Sequence, residues 1–476
     1  MFDSIHEECG IFGIYSKPSS DVAMQAFYAL YALQHRGQES CGIAVNDDGV
    51  ISYYRDLGLV PDVFNKERMA HLGLGNMAIG HVRYSTVGLK SRSNAQPLVV
   101  RHIKGPMALA HNGNLTNAAE LREELELAGA IFHSTNDTEV ISYIITHARL
   151  HTPSIESAVE EAMTRIQGAY SIVVMSPTKL IAARDPHGFR PLCMGELDGD
   201  IVFASETCAL DSLGARFIRE LDPGEIVLVN KAGIQSIRTH CGQKSALCVF
   251  EFVYFARPDS VISGQSVHLA RRRAGAFLAK EHPVDADVVI GVPDSGLDAA
   301  LGYSLESKIP YGVGFIKNRY IGRTFIQPTQ GERERSVKIK LNPLAETVRG
   351  KRVIVIDDSI VRGTTTANTI RLLREAGATE VHVRISAPPF LHPCFFGTDI
   401  DSRENLIACR MSIPEIKEQI GADSLGYLSI EGVGRIASDT NCSFCSACFT
   451  GDYPIPVPGE VKKDKFEVKL SAKEVK

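Results

Sequence analysis

"VIVIDDSIVRGTT", residues 353–365, decides how the second half of this 476-residue chain folds. Four apolar residues end in two acids, and a loop with Gly, Thr and Thr leads into the helical spacing of "ANTIRLLREAG". An apolar run too continuous for a half-exposed sheet predicts a strand buried on both faces, as in a parallel sheet. Gly377 stands where a helix C-terminal cap is expected. "ADVVIGVPDSGLDAALGYSLESKIPYGVGF" repeats the order strand, loop, helix, strand, so residues 245–425 read as an α/β domain.

The loop has a chemistry of its own. A helix N-terminus offers free N–H groups and positive potential, a ready phosphate site. Gly363 lets the backbone curl round an anion, and Ser359, Thr364 and Thr365 add hydroxyl donors. Asp357 and Asp358 would repel a phosphate, so they are expected to meet neutral hydroxyls or a metal ion. A phosphorylated sugar with a vicinal diol satisfies both ends. With these features the 353–365 stretch resembles the ligand loop of the type I phosphoribosyltransferases, and the resemblance implies that "GVPDSG" (Gly291–Gly296), a companion strand-to-helix loop, holds a pyrophosphate, which Mg²⁺ normally accompanies with few protein ligands. Ser295, Asp357 and Asp358 are the candidate metal-facing groups. Lys317 opens "KNRYIGRTFIQP" (Lys317–Pro328), a cationic segment expected to close over the leaving group.

Upstream of residue 245 the rhythm differs. "GIAVNDDGVISYYRD", "AYSIVVMSP", "DIVFASE" and "GEIVLVN" alternate like strands ended by turn residues. "DVAMQAFYALYALQHRG" and "TEVISYIITHARL" carry apolar residues at helical spacing. Grouped strands with separate helices predict an α+β layered domain. Net charge is −5, which leaves no basic face for nucleic acid. No window is apolar enough for a membrane span, and "MFDSIHEE" lacks the features of a signal peptide, so a cytoplasmic protein is expected. In that reducing compartment the eleven cysteines are thiols or metal ligands, and "NCSFCSACF" reads as metal or cluster binding. The Lys-rich end, "VKKDKFEVKLSAKEVK", reads as a solvated tail.

The 353–365 stretch resembles the phosphoribosylpyrophosphate (PRPP) motif of the type I phosphoribosyltransferases. "CGIFG" (Cys9–Gly13), "LQHRGQESCGIA", "GHVRYSTVG", "HNGNLTN" and "STNDTEV" follow one another in the first half. Together they resemble the N-terminal-nucleophile glutamine amidotransferases, and the two halves joined resemble the family of glutamine-dependent PRPP amidotransferases. The resemblance implies a leader at 1–8 and a stacked-sheet glutaminase domain at 9–244. A phosphoribosyltransferase domain at 245–425 and a C-terminal segment at 426–476 would follow. Once the chain is cut before Cys9, its thiol gains an α-amino group titrating near about 7.7–8.0, able to act as local base. By the same resemblance Arg83 grips the glutamine α-carboxylate and Asp137 the α-ammonium, while Asn112 and the Gly113 N–H form the oxyanion hole. Ammonia would pass by a closed path to PRPP, giving phosphoribosylamine, glutamate and pyrophosphate.

Both zinc and iron–sulfur clusters take four thiolates, and Cys442, Cys445 and Cys448 supply three within seven residues. Resemblance to cluster-bearing relatives maps a [4Fe–4S] centre onto Cys248, Cys394, Cys445 and Cys448, with Cys442 a bystander or alternate and zinc the competing occupant. Cys41, Cys193, Cys208, Cys241 and Cys409 are expected to be buried thiols. Relatives further imply a homotetramer inhibited by purine nucleotides. Two other functions compete: a PRPP-sensing regulator, which needs neither the Cys9 set nor the cysteine quartet, and a sugar-phosphate aminotransferase, which lacks the PRPP motif.

Overall fold

The structure, a computed structural model, describes residues 9–84, 91–318, 341–398, 400, 402–438, 440 and 442–458. The expected leader, nearly all of the 317–328 segment and the Lys-rich tail lie outside the described residues.

The first half stacks two antiparallel sheets. Seven strands run in the order Arg216–Glu220, Cys193–Leu197, Asp200–Ala204, Gly10–Ser20, Gly75–Arg83, Ser40–Asp47, Val50–Leu57. Six more run Gly233–Ile237, Ile226–Asn230, Leu180–Arg184, Gly168–Met175, Gly105–Leu115, Leu98–His102. Strand alternation sends neighbours into different cores. Ile11 joins Ile79, Ala110 and Val173 between the sheets, while Phe12 faces outward beneath the helix Val22–Ala32 with Ala26 and Leu30. Helices Asp137–Ala148 and Ile155–Ala162 cover the outer face of the second sheet. The expected layered α+β arrangement is present, with helices outside a sheet pair.

The second half carries a four-stranded parallel sheet, ordered Val288–Gly291, Arg352–Asp357, Glu380–Ile385, Ser424–Tyr427. Val353 and Val355 face a core with Ile370 and Leu373 of the helix Thr364–Glu375. Ile354 and Ile356 face the opposite core with Ala274 and Ala299 of the helices Val267–Glu281 and Gly296–Ser307. Both faces of the strand are therefore covered, which is why its apolar run is unbroken. Gly377 lies past the end of its helix at φ +102°. A boundary at 425 would cut the fourth strand: "SLGY" is too short and too weakly apolar to announce a strand, yet it pairs with His382–Ile385.

The C-terminal segment returns to the junction between the halves. Phe444–Cys445 pairs in parallel with Leu247–Cys248, where the Leu247 N–H reaches Ser443 O at 3.0 Å and the Val249 N–H reaches Cys445 O at 3.2 Å. Among the described residues no helix is long and apolar enough to cross a membrane.

Candidate active site

Cys9 precedes the strand Gly10–Ser20, which pairs with Gly75–Arg83 so that Gly10 faces Val82. This register sets the thiol beside the end of that strand, with Cys9 Sγ 3.7 Å from Tyr84 O. Asn112 and Gly113 lie on the strand Gly105–Leu115 of the other sheet. His81 joins the sheets through Nε2, 3.0 Å from the carbonyl oxygen of His111, just before Asn112. Burial pushes His81 down to about 3, so it is neutral and the contact is a donated hydrogen bond. The His111 N–H is held by Gln96 Oε1 at 2.8 Å. Asn112 is 0% exposed, and neither its amide nitrogen nor its amide oxygen has a hydrogen-bond partner. Gly113 has φ +141°, and a Cβ there would come within 2.1 Å of Ala169 O, so only glycine fits.

Asp137 opens the helix Asp137–Ala148 and accepts the Leu115 N–H at 2.9 Å, just past the Asn112–Gly113 pair. Burial alone would raise its pKa. The His111 imidazole, 3.4 Å away, and the Leu115 and Thr138 N–H groups outweigh burial and hold it below the usual carboxylate range. Arg83 is 3% exposed and paired with Glu39 at 3.0 Å. Cys9, Arg83, Asn112, Gly113 and Asp137, from four separate segments, thus share one end of the sheet pair.

Behind Cys9 lies a fully buried ionic cluster that sequence reasoning missed. Arg36 donates through Nε to Cys9 O at 2.9 Å and pairs with Glu206 at 2.6 Å and Glu251 at 2.8 Å, all three side chains 0% exposed. The only signal was "LQHRGQES", a quoted motif without an assigned role. Glu206 also meets His35 at 2.7 Å and the Ser260 hydroxyl at 2.6 Å; against the penalty of burial, His35 and Arg36 hold it well below the carboxylate range.

In the second half, the parallel pairing of Val288–Gly291 with Val353–Ile356 brings both loops to the carboxyl end of adjacent strands, where open α/β sheets bind ligands. Ser295 and Ser359 both donate their hydroxyls to Asp358, and the Asp358 N–H donates to Asp357 Oδ1 at 2.9 Å. Burial, then the neighbouring Asp358 charge, raises Asp357 well above its ordinary value; burial likewise raises Asp358 against its two hydroxyl donors. Gly363 caps the helix Thr364–Glu375 at φ +88°, leaving Thr364 and Thr365 exposed on its first turn. Lys317 pairs with Asp294 of the facing loop.

Cys248, Cys394, Cys445 and Cys448 line one cavity walled by Phe189, Phe250, Phe390 and Phe396. Burial raises the Cys448 thiol, and Cys394, Cys248 and Cys445 raise it further by proximity. Cys442 lines a different cavity, with Val249 and Ile430. Four thiols lining one cavity are a donor set that fits a metal ion or a cluster. Cys41, Cys193 and Cys208 are buried thiols as expected, whereas Cys241 and Cys409 are half-buried, Cys409 donating to Leu391 O at 3.2 Å.

A glutamine amidotransferase domain matches residues 81–212, and a phosphoribosyl transferase domain matches residues 267–387. The amidophosphoribosyltransferase of Synechococcus elongatus is 49% identical over 468 residues, covering 98% of this chain and 94% of its own length. That of Bacillus subtilis is 46% identical over 458 residues, with 95% of each chain covered. The solved structure of glutamine PRPP amidotransferase from B. subtilis, complexed with ADP and GMP, superposes with TM-score 0.89 at 45% identity, covering 95% of this chain and 99% of that one. With both halves matched and nearly the whole length aligned, the chain belongs to the amidophosphoribosyltransferase family, enzymes that use glutamine to aminate PRPP in purine biosynthesis.

Proposed function

We propose that Cys9 is the glutaminase nucleophile and that its own α-amino group, freed by removal of residues 1–8, is the local base. The thiolate attacks the side-chain amide carbon of glutamine, ammonia leaves, and water hydrolyses the glutamyl thioester to glutamate. One observation carries this reading: the buried, unpartnered amide of Asn112 is a donor held ready for charge developing on the carbonyl oxygen. The Gly113 N–H is the second donor, Arg83 takes the α-carboxylate and Asp137 the α-ammonium. Asn112→Ala is expected to lower glutamine-dependent kcat by about 10²–10³-fold. An unchanged kcat would remove Asn112 from the reaction.

At the second centre, ammonia attacks C1 of PRPP and pyrophosphate leaves. The Gly363–Thr365 turn with Ser359 receives the sugar phosphate, Asp357 and Asp358 face the ribose hydroxyls, and Lys317 meets the pyrophosphate. Ammonia in water is mostly protonated, which favours a closed path between the centres. A buried and a half-buried carboxylate side by side suit a cation, so Ser295, Asp357 and Asp358 are the groups that would hold Mg²⁺. A Mg²⁺ held there would neutralise the charge of the leaving pyrophosphate.

The four-cysteine cavity supports a [4Fe–4S] centre held by Cys248, Cys394, Cys445 and Cys448, fastening the C-terminal segment to the junction. Intact mass of protein purified without oxygen tests this and the leader together. A denatured chain beginning at Cys9, with native mass added for four irons and four sulfides, supports both. A single zinc in that cavity would overturn the cluster. The nucleotides bound by the B. subtilis relative support inhibition of this enzyme by purine nucleotides; a cytoplasmic homotetramer is proposed from the family resemblance alone.

A further inference from the structure

We propose that Glu251, which belongs to the phosphoribosyltransferase half, is a positioning residue for the glutaminase nucleophile and acts through Arg36. This rests on the assignment of Cys9 above.

Arg36 ties the nucleophile's backbone to both halves of the molecule. Its Nε donates to Cys9 O at 2.9 Å. Nη1 reaches Glu251 Oε2 at 3.0 Å and Nη2 reaches Glu251 Oε1 at 2.8 Å, a two-point grip that fixes the plane of the guanidinium. Glu251 opens the π-helical segment Glu251–Phe255, directly after the strand that meets the C-terminal segment. Its Oε1 also receives Arg190 Nη1 at 3.3 Å, and Arg190 Nη2 donates to Phe396 O at 2.6 Å. Both oxygens of Glu251 are therefore taken, and both by arginines of the first half.

Glu206 completes the arrangement from the other side. It holds Arg36 at 2.6 Å and accepts the Arg257 N–H at 2.9 Å and the Ser260 hydroxyl at 2.6 Å from the second half. Arg36, Arg190, Glu206 and Glu251 are all 0% exposed at the side chain, so losing one partner leaves a buried charge uncompensated. A shift of the second half against the first must either break this grip or turn the guanidinium. Turning it moves the carbonyl of Cys9. Among the described residues Glu251 bonds to Arg36 and Arg190, neither of them assigned to glutamine or PRPP, so its effect is expected on the rate of thiol attack, not on substrate affinity.

The test uses full-length Glu251→Gln, which keeps the shape but loses the charge. Phosphoribosylamine formation is measured with glutamine and with ammonia in the same preparation, and the rate at which a chloroketone glutamine analogue alkylates Cys9 is measured beside it. Glutamine-dependent kcat and the alkylation rate are expected to fall together by about tenfold or more, with glutamine KM and the ammonia-dependent rate each within twofold. Glu251→Asp keeps the charge and shortens the reach; it is expected to recover at least threefold of the lost rate, and it decides the matter alone if Glu251→Gln fails to fold. Equal loss with both nitrogen sources would mean a merely structural ion pair, and an unchanged glutamine-dependent rate would mean no role; either overturns the proposal. Cys9→Ala separates this from the reading beneath it: a variant that still used glutamine would refute the nucleophile itself, whatever Glu251→Gln does.

Discussion

The two reaction centres treat their carboxylates in opposite ways. Asp137 is surrounded by an imidazole and N–H donors that hold it ionised in spite of burial. Asp357 and Asp358 lie side by side, both raised by burial and Asp357 further by the Asp358 charge, while the Ser295 and Ser359 hydroxyls and the Arg271 charge only partly offset burial at Asp358. At the proposed glutamine centre Asn112 keeps a buried amide without a hydrogen-bond partner. At the proposed phosphoribosyl centre the acid pair resists ionisation, which a cation or hydroxyl donors of a diol would favour.

The largest effect that would sharpen this contrast comes from removing the acid pair. Asp357→Asn with Asp358→Asn is expected to lower synthesis from both glutamine and ammonia by about 10²–10³-fold, while leaving glutamine hydrolysis at Cys9 in place. Loss of hydrolysis as well would mean the centres are not separable. Removing divalent cations with a chelator should do the same to synthesis without touching hydrolysis, read as pyrophosphate against glutamate released. Asp137→Asn loses a charge-assisted hydrogen bond and should raise glutamine KM by about 10–100-fold, with ammonia-dependent synthesis unchanged.

The smallest effect concerns Asp185, a buried carboxylate of the first half. Burial pushes it up to about 6 although the N–H groups of His187, Tyr170 and Phe189 all point at it. A group whose folded pKa lies above its unfolded value of about 3.9 stabilises the fold below that value and loses the contribution as pH rises through about 6. The difference in thermal midpoint between the protein and Asp185→Asn should therefore move in the variant's favour between pH 4 and pH 7. A pH-independent difference would show that Asp185 does not titrate there.

The two centres also differ in how far they could be read from the chain. Strand, acid pair, glycine and helix N-terminus of the phosphoribosyl loop are contiguous over 353–365, and local pattern was enough to place them. The glutaminase side chains came from ordered motifs, but what holds them did not. Arg36 meets Glu206 and Glu251 across 170 and 215 positions, and no spacing rule links polar residues that far apart. His81 and Gln96, which pin the backbone before Asn112, carry no periodic signal either. The cysteine quartet shows the same limit: Cys248 meets Cys445 because two two-residue strands pair in parallel, an event too short to leave a pattern. Ser424–Tyr427 was lost for the same reason.

The claim at the centre is that one thiol feeds nitrogen to a separate phosphoribosyl site. Its most direct test is Cys9→Ala, assayed for phosphoribosylamine with glutamine and then with ammonia in one preparation. The expected result is loss of glutamine-dependent synthesis with the ammonia-dependent rate within twofold of the parent. Glutamine-dependent synthesis that survived the substitution, or loss of both activities in a folded protein, would contradict it.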